Sequence, residues 1–167
     1  IFLLFSIHQA AIMNASLSFS DRIEKDYIQA YKAKDSVRLT VLRLLKTAAK
    51  NRLVELKRPG GTLADEEFLD LVIKEGKQRQ DSIEQFQAAR RDDLAQKEAA
   101  ELAILREYLP APLEAEELEA VIRATMSRLG ASSPRDMGRV MTAIMAEHKG
   151  RVDGKTLSGA VKMLLQS

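Results

Sequence analysis

Helix-breaking residues occupy so few places in this chain that little besides α-helix can lie between them. Its 167 residues hold eight glycines and four prolines. Apart from Gly76 and Gly159, these fall within 59–61, 110–112, 130–138 and 150–154. The intervals between are rich in Ala, Leu, Glu, Lys, Arg and Gln, residues that lose little on entering a helix. Their apolar positions recur every three or four residues rather than in alternation. The expected fold is all-α: a long-helix N-terminal domain followed by a small three-helix tail domain. Residues 14–108 are assigned to the first and 109–167 to the second. Residues 1–13 are assigned to an unstructured leader or a mis-called start.

The punctuation places each helix. Ser18 caps a first helix ending near Lys34, with Asp21 three residues on. Asp35 or Ser36 caps a second, running to about Lys57, whose Leu42, Leu45, Ala49, Leu53 and Leu56 form one buried stripe. Arg58-Pro59-Gly60-Gly61 stops it. A third helix opens on Asp65, Glu66 and Glu67, where carboxylates suit the positive end of the dipole. It buries Leu69, Val72, Ile73, Ile83 and Phe86, and Gly76 within it allows close packing. Asp92 caps a fourth over 93–107, with Leu94, Leu102 and Leu105 inward. Pro110 and Pro112 disfavour helix at the residue before each, which sets the domain boundary.

In the tail, helices are expected at Leu113–Arg128, from Pro134 onward and at about Lys155–Leu165. Ser132 or Ser133 caps the middle one, with Pro134 at its first position. Gly138 is expected to let another helix approach. The methionines Met137, Met141 and Met145 read as core filler.

Several chemistries are excluded. Without cysteine there is no disulfide or thiolate site, as suits a reducing compartment, and a cytoplasmic location is expected. His8 and His148 stand too far apart in sequence, and without the usual ligand spacing, to suggest a zinc site. His148 reads as a helix-end cation. No Gly-x-Ser-x-Gly or amidase-type serine signature is present, so no catalytic residue, metal or cofactor is assigned. Gly150-Arg151-Val152-Asp153-Gly154-Lys155-Thr156 is one residue short of a P-loop and follows a helix, which argues against nucleotide hydrolysis. It is either a plain turn or a cradle for one phosphate at a helix N-terminus. Ile1–Ile7 is apolar but shorter than the roughly 20 residues that span a bilayer, and no membrane role is expected. With no Lys or Arg ahead of it, Met13 is taken as the start; a short interfacial anchor or cleaved leader is the alternative.

Charge is balanced overall but unevenly spread. Residues 21–58 carry 11 basic and 5 acidic groups, and 65–109 carry 7 and 12. Residues 110–122 carry four Glu and no base, and 123–167 carry 8 basic and 3 acidic groups. Arg43, Lys46, Lys50 and Lys57 return to one face of the second helix. That stripe is either a solvated face or a phosphate-facing ridge. Arg135 and Arg139 stand four apart, and Arg151 and Lys155 flank a glycine turn. Arg135, Arg139, Arg151, Lys155, Arg43, Lys46 and Lys50 are therefore the candidate nucleic-acid contacts, the first four expected on one rim of the tail.

Six runs, in this order, carry a resemblance. They are Lys32-Ala33-Lys34-Asp35 with Arg38-Leu39 and Val41-Leu42-Arg43; Asp65-Glu66-Glu67; Lys77-Gln78-Arg79-Gln80-Asp81-Ser82-Ile83-Glu84; Glu107-Tyr108-Leu109-Pro110; Gly130-Ala131-Ser132-Ser133-Pro134-Arg135-Asp136-Met137-Gly138; and Lys149-Gly150-Arg151-Val152-Asp153-Gly154-Lys155. Together they resemble the GatB/YqeY family, and within it the stand-alone YqeY-like proteins. The chain departs at Ala64, where the family often carries a Thr or Ser cap. The resemblance implies that the tail is similar to the tail domain of the B subunit of glutamine-dependent tRNA amidotransferase. There the tail helps hold tRNA, while glutaminase and kinase chemistry lie elsewhere. The implied function is a non-catalytic module associated with tRNA, with an amidotransferase or with an aminoacyl-tRNA synthetase. The alternatives are participation in glutamine-dependent amido transfer, the carbon–nitrogen ligase activity attached to the family, and a helical protein-interaction adaptor.

Overall fold

The computed structural model describes residues 17–166, and the expectations for residues 1–13 lie outside them. These residues form seven α-helices with no strand among them: α1 Phe19–Ala33, α2 Ser36–Glu55, α3 Asp65–Ala88, α4 Asp92–Arg106, α5 Ala115–Leu129, α6 Met137–Glu147 and α7 Gly154–Gln166. A 3-10 turn, Pro134–Asp136, leads into α6. The chain divides into two compact units, one ending at Tyr108 and the other beginning at Leu109.

The first unit is two helical hairpins, α1–α2 and α3–α4, with α2 packed on both helices of the second pair. The Ser18 hydroxyl accepts from the Asp21 N–H at 3.2 Å and fixes the start of α1. The corner to α2 is tight because Lys34 takes a left-handed conformation, φ 57°, and Asp35 then caps Arg38 N–H at 2.9 Å. The α2 stripe is buried at Leu42, Leu45 and Leu53 and is extended by Val41. Ala64 precedes α3 with no side-chain oxygen to offer. The Glu67 carboxylate supplies half a cap instead, accepting from the Ala64 N–H at 2.9 Å. That bond, with Arg58 beside it, holds the Glu67 carboxyl below its ordinary range. Gly76 is buried on α3, and a Cβ there would meet Leu102 of α4 at 3.7 Å, an ordinary contact. Phe68, Leu71 and Tyr108 are core residues that the periodicity did not single out.

The tail packs α6 against both α5 and α7 around Leu118, Ile122, Val140, Ile144, Leu157 and Val161. Met137 and Met141 border that core as filler, while Met145 is exposed. Gly138 is exposed as well, and a Cβ placed on it meets nothing within 4 Å. The expected close helix approach at Gly138 is therefore absent. Its place in the first turn of α6 puts it on the outer side, opposite the Val140 and Ile144 side chains.

Candidate functional site

The first group of candidate cations lies on α2. Arg43 and Lys50 are exposed and Lys46 is half-buried, and they recur at three- and four-residue spacing on one side of the helix. Tyr27 of α1 lies against this side. The Arg43 guanidinium carbon stands 5.9 Å and Lys46 Nζ 4.7 Å from the ring centroid. Each such contact is worth about 0.5–1 kcal/mol on an exposed surface. Lys46 also pairs with Glu24. The ring thus lies against two long cations, and Glu24 offsets the charge of one of them.

The tail cations do not form one rim. Arg139 bonds the Asp136 carboxylate and the Leu129 carbonyl, both at 3.3 Å, which ties α6 to the C-terminal end of α5. Arg151 makes two 3.0 Å bonds to the Glu117 carboxylate, and its Nε donates to the Ala111 carbonyl at 2.9 Å. Those anchors are at the other end of α5. Glu117 and Leu129 are 12 residues apart on one helix, about 18 Å at 1.5 Å per residue. Arg151 is a strap that, with the Leu113 N–H to Arg151 carbonyl bond of 2.8 Å, holds the entry of the tail to the α6–α7 loop. Arg135 is exposed in the 3-10 turn rather than on α6, so it does not share an α-helical face with Arg139.

The glycine loop is a plain turn. Its helix N-terminus is filled by the Asp153 carboxylate, which accepts from Lys155 N–H and Thr156 N–H at 2.9 Å each and from the Thr156 hydroxyl. Burial alone would raise the Asp153 pKa, but the bonds from Thr156 and Lys155 hold it below its ordinary range. A phosphate would have to displace that carboxylate. Asp136 does the same work at the other turn, accepting from the Ser132 and Ser133 N–H groups at 3.2 Å, and those donors hold its carboxyl low. His148 is the C-cap residue of α6.

Two polar centres in the first unit were not apparent from composition. In one, Arg38 forks onto Glu107 with two 2.7 Å bonds, Arg22 donates to the Glu107 carbonyl, and the Arg22 guanidinium lies 4.8 Å from the Tyr108 ring centroid. The buried Tyr108 hydroxyl donates to Asp26, and burial followed by that carboxylate pushes its pKa well above the ordinary value. Arg22, Asp26, Arg38 and Glu107 border a groove of about 350 Å³. In the other centre, Arg79 of α3 faces Glu101 at 2.9 Å, Glu98 at 3.3 Å and Glu75 at 3.9 Å. All four side chains are largely enclosed, from 8 % exposed at Glu101 to 21 % at Glu98. The Nε–H of Arg79 is given to Glu101, so Glu98 Oε2 is enclosed with charge beside it but no hydrogen bond. Beside this centre, between α2 and α3, lies a second and more open groove of about 480 Å³ bordered by Arg43.

Among the described residues no group of three or more His, Asp or Glu side chains is arranged to hold a metal ion, and no helix is long and apolar enough to cross a membrane. A family model described as "Yqey-like protein" matches residues 20–165. The chain is 34% identical over 139 residues to "Altered inheritance of mitochondria protein 41, mitochondrial" of Lachancea thermotolerans, covering 77% of this chain and 73% of that protein. It is 32% identical over 142 residues to the protein of that name in Kluyveromyces lactis, covering 84% and 72%. The Saccharomyces cerevisiae S288c protein of that name is 40% identical over 88 residues, 52% of this chain and 46% of that one. These names overturn the expected cytoplasmic location and point to the mitochondrion. A chain without cysteine carries no thiol to report on its redox surroundings and does not distinguish cytosol from mitochondrial matrix. A match over nearly the whole described chain, with relatives of this similarity and coverage, places the protein in the YqeY-like family.

Proposed function

We propose that this protein is a non-catalytic, tRNA-associated module of the mitochondrion that works beside an amidotransferase or an aminoacyl-tRNA synthetase. The observation that carries the reading is the α2 face. It presents Arg43, Lys46 and Lys50 with no acidic residue between Asp35 and Glu55, and Tyr27 props two of the three. Phosphate contacts of this kind need positive charge held outward and little else. Arg135, Arg139 and Lys155 are secondary contacts. Arg151 is a weaker one, since Glu117 already takes its guanidinium. The relatives' names support the location, and the tail's resemblance supports the partner class.

The test is an anisotropy titration of unmodified tRNA at several salt concentrations. Reversal at both Arg43→Glu and Lys50→Glu should weaken binding to every tRNA about equally and flatten the salt slope by about one to two units. Both side chains are exposed, so circular dichroism should be unchanged. No binding of wild-type protein at low salt would refute the RNA reading and favour a protein adaptor. Pull-down from mitochondria should recover an amidotransferase subunit or a synthetase, and recovery of neither would remove that half of the proposal.

A further inference from the structure

Tyr31 is 66 % exposed, more than any other aromatic side chain among the described residues. A lone exposed apolar residue needs no explanation; what distinguishes this one is its neighbourhood. Tyr27 and Tyr31 are four apart on α1, so they share a side of that helix. Tyr27 shows where that side lies, because Arg43 and Lys46 of α2 stand beside its ring. Tyr31 is one turn further along, about 6 Å nearer the Lys34–Asp35 corner. Among the described residues, no cation and no second ring stacks on it. The charge around it is positive. Lys50 follows Arg43 by seven residues, about 10 Å along α2, and Lys32 and Lys34 are exposed at the corner. The nearby carboxylates are engaged: Glu24 pairs with Lys46, and Asp35 accepts from the Arg38 N–H and pairs with its guanidinium. Thr40 and Thr47 give their hydroxyl protons to carbonyls of their own helix, so the outward donors of this face are its cations.

An open aromatic face at the end of a row of cations suits a polymer that alternates anionic groups with flat rings. An inorganic phosphate meets only the cations. A duplex meets them too, but keeps its bases stacked inside. A lipid surface calls for a continuous apolar face, and α1 around its exposed Ile28 carries Glu24, Lys25 and Lys32 instead. We infer that Tyr31 is the stacking platform for an unpaired base of an RNA strand whose phosphates lie on Arg43, Lys46 and Lys50. This rests on the RNA reading above and adds that unpaired RNA is the form the face takes. Stacking uses the ring face that every base possesses, so the site is tolerant of sequence. Tyr27 is no second platform, because its ring is already given to Arg43 and Lys46.

The experiment is anisotropy at low salt with labelled ten-nucleotide oligo-C, oligo-U and a duplex of the same length, alongside tRNA. Phosphate contacts alone would favour the duplex, which carries the denser charge. Wild-type protein should instead bind both single strands more tightly than the duplex, and within about threefold of each other. Tyr31→Ala should weaken both single strands by about fivefold or more and leave the duplex within about twofold. Tyr31→Phe keeps the ring and should bind within about twofold of wild type. The side chain is exposed, so circular dichroism should be the same for all three proteins. A Tyr31→Ala variant that binds single strands like wild type overturns the inference, as does one that loses single strands and duplex alike. So does Tyr31-dependent binding to phosphatidylglycerol vesicles in a protein whose oligonucleotide binding ignores Tyr31, which would make this a lipid-facing surface. In those cases tRNA binding that still falls on reversal of Arg43 and Lys50 leaves the proposed function standing, whereas no binding to any RNA removes both.

Discussion

Replacing Arg79 by Met should come close to unfolding the first unit. Methionine keeps the stem that packs between α3 and α4 but removes the charge. Each carboxylate–guanidinium pair at about 4 Å contributes roughly 4 kcal/mol of gross attraction at an effective dielectric of 20. Much of that offsets the desolvation of the four groups, so the sum is no measure of net stability. Removing one partner is different, because three enclosed carboxylates then face one another unneutralised. The expected loss is about 3–5 kcal/mol, out of a domain total of about 5–15 kcal/mol. The assay can be confined to this unit. All three tyrosines, Tyr27, Tyr31 and Tyr108, precede the tail, and the chain has no Trp. Urea unfolding followed by tyrosine near-ultraviolet dichroism therefore reports the first unit alone. Glu98→Gln in the Arg79→Met background should return about 1 kcal/mol or more, because the enclosed Glu98 oxygen has no hydrogen bond to lose. A loss below about 1 kcal/mol for Arg79→Met, or no rescue by Glu98→Gln, would refute the account of a buried charge centre.

Three further outcomes are expected. Arg38 holds the Glu107 carboxyl below its ordinary 4.5, so the pair contributes stability above that pH and loses it as pH falls through the lowered value. Acid denaturation monitored on the tyrosines should accordingly be shallower in Glu107→Gln, with a loss near neutral pH of only about 0.5–1 kcal/mol because Glu107 is half exposed. Arg151→Ala should destabilise the tail by about 1–2 kcal/mol, seen in the far-ultraviolet dichroism melt, through loss of the Glu117 and Ala111 bonds. Gly138→Ala should leave the melt unchanged or raise stability by up to about 1 kcal/mol, because nothing lies where the methyl would go; a loss above about 1 kcal/mol would mean a helix does approach there.

The helices could be read from the sequence because their signals are local. Ser18 with Asp21, the Lys34–Asp35 corner and the Gly130 stop are each complete within a few residues. The charge centre at Arg79 was not, although a signal existed. Val72, Gly76, Arg79, Ile83 and Phe86 are spaced 4, 3, 4 and 3 along α3, so Arg79 stands on the buried stripe. On α4, Leu94, Glu98, Glu101 or Leu102, and Leu105 repeat the pattern, which puts two glutamates on its buried stripe as well. Each helix alone shows a polar residue out of place, which reads as a solvated edge. Only the α3–α4 packing shows that one compensates the other. Tyr108 was hidden for a related reason. It stands beside a helix stop, and its burial depends on Arg22 and Asp26 from the far end of the unit. Arg151 misled in the opposite direction. A cation in a glycine loop reads as available, and its Glu117 partner lies 34 residues away.

Internal charge pairing limits how strongly this protein can grip a polyanion. Along the sequence, 123–167 is net +5 and 110–122 net −4, so the tail as a whole is net +1. The fold brings these opposite charges together, as Arg123–Glu119 and Arg151–Glu117 show. The first unit does likewise, joining the basic 21–58 to the acidic 65–109 through Arg38–Glu107 and Arg58–Glu67. On the α2 face, among the described residues, the cations with no carboxylate partner are Arg43 and Lys50, with Lys46 offset in part by Glu24. Binding should then involve about two or three phosphates from this face. With about 0.7 counterions released per single-strand contact, the logarithmic salt slope should be near −2. Titration of a single-stranded RNA oligonucleotide from low to moderate salt measures it directly. A slope steeper than about −5 would require several more cations than the α2 face holds, and would move the interface to a surface on which Arg135, Arg139 and Lys155 act together with it.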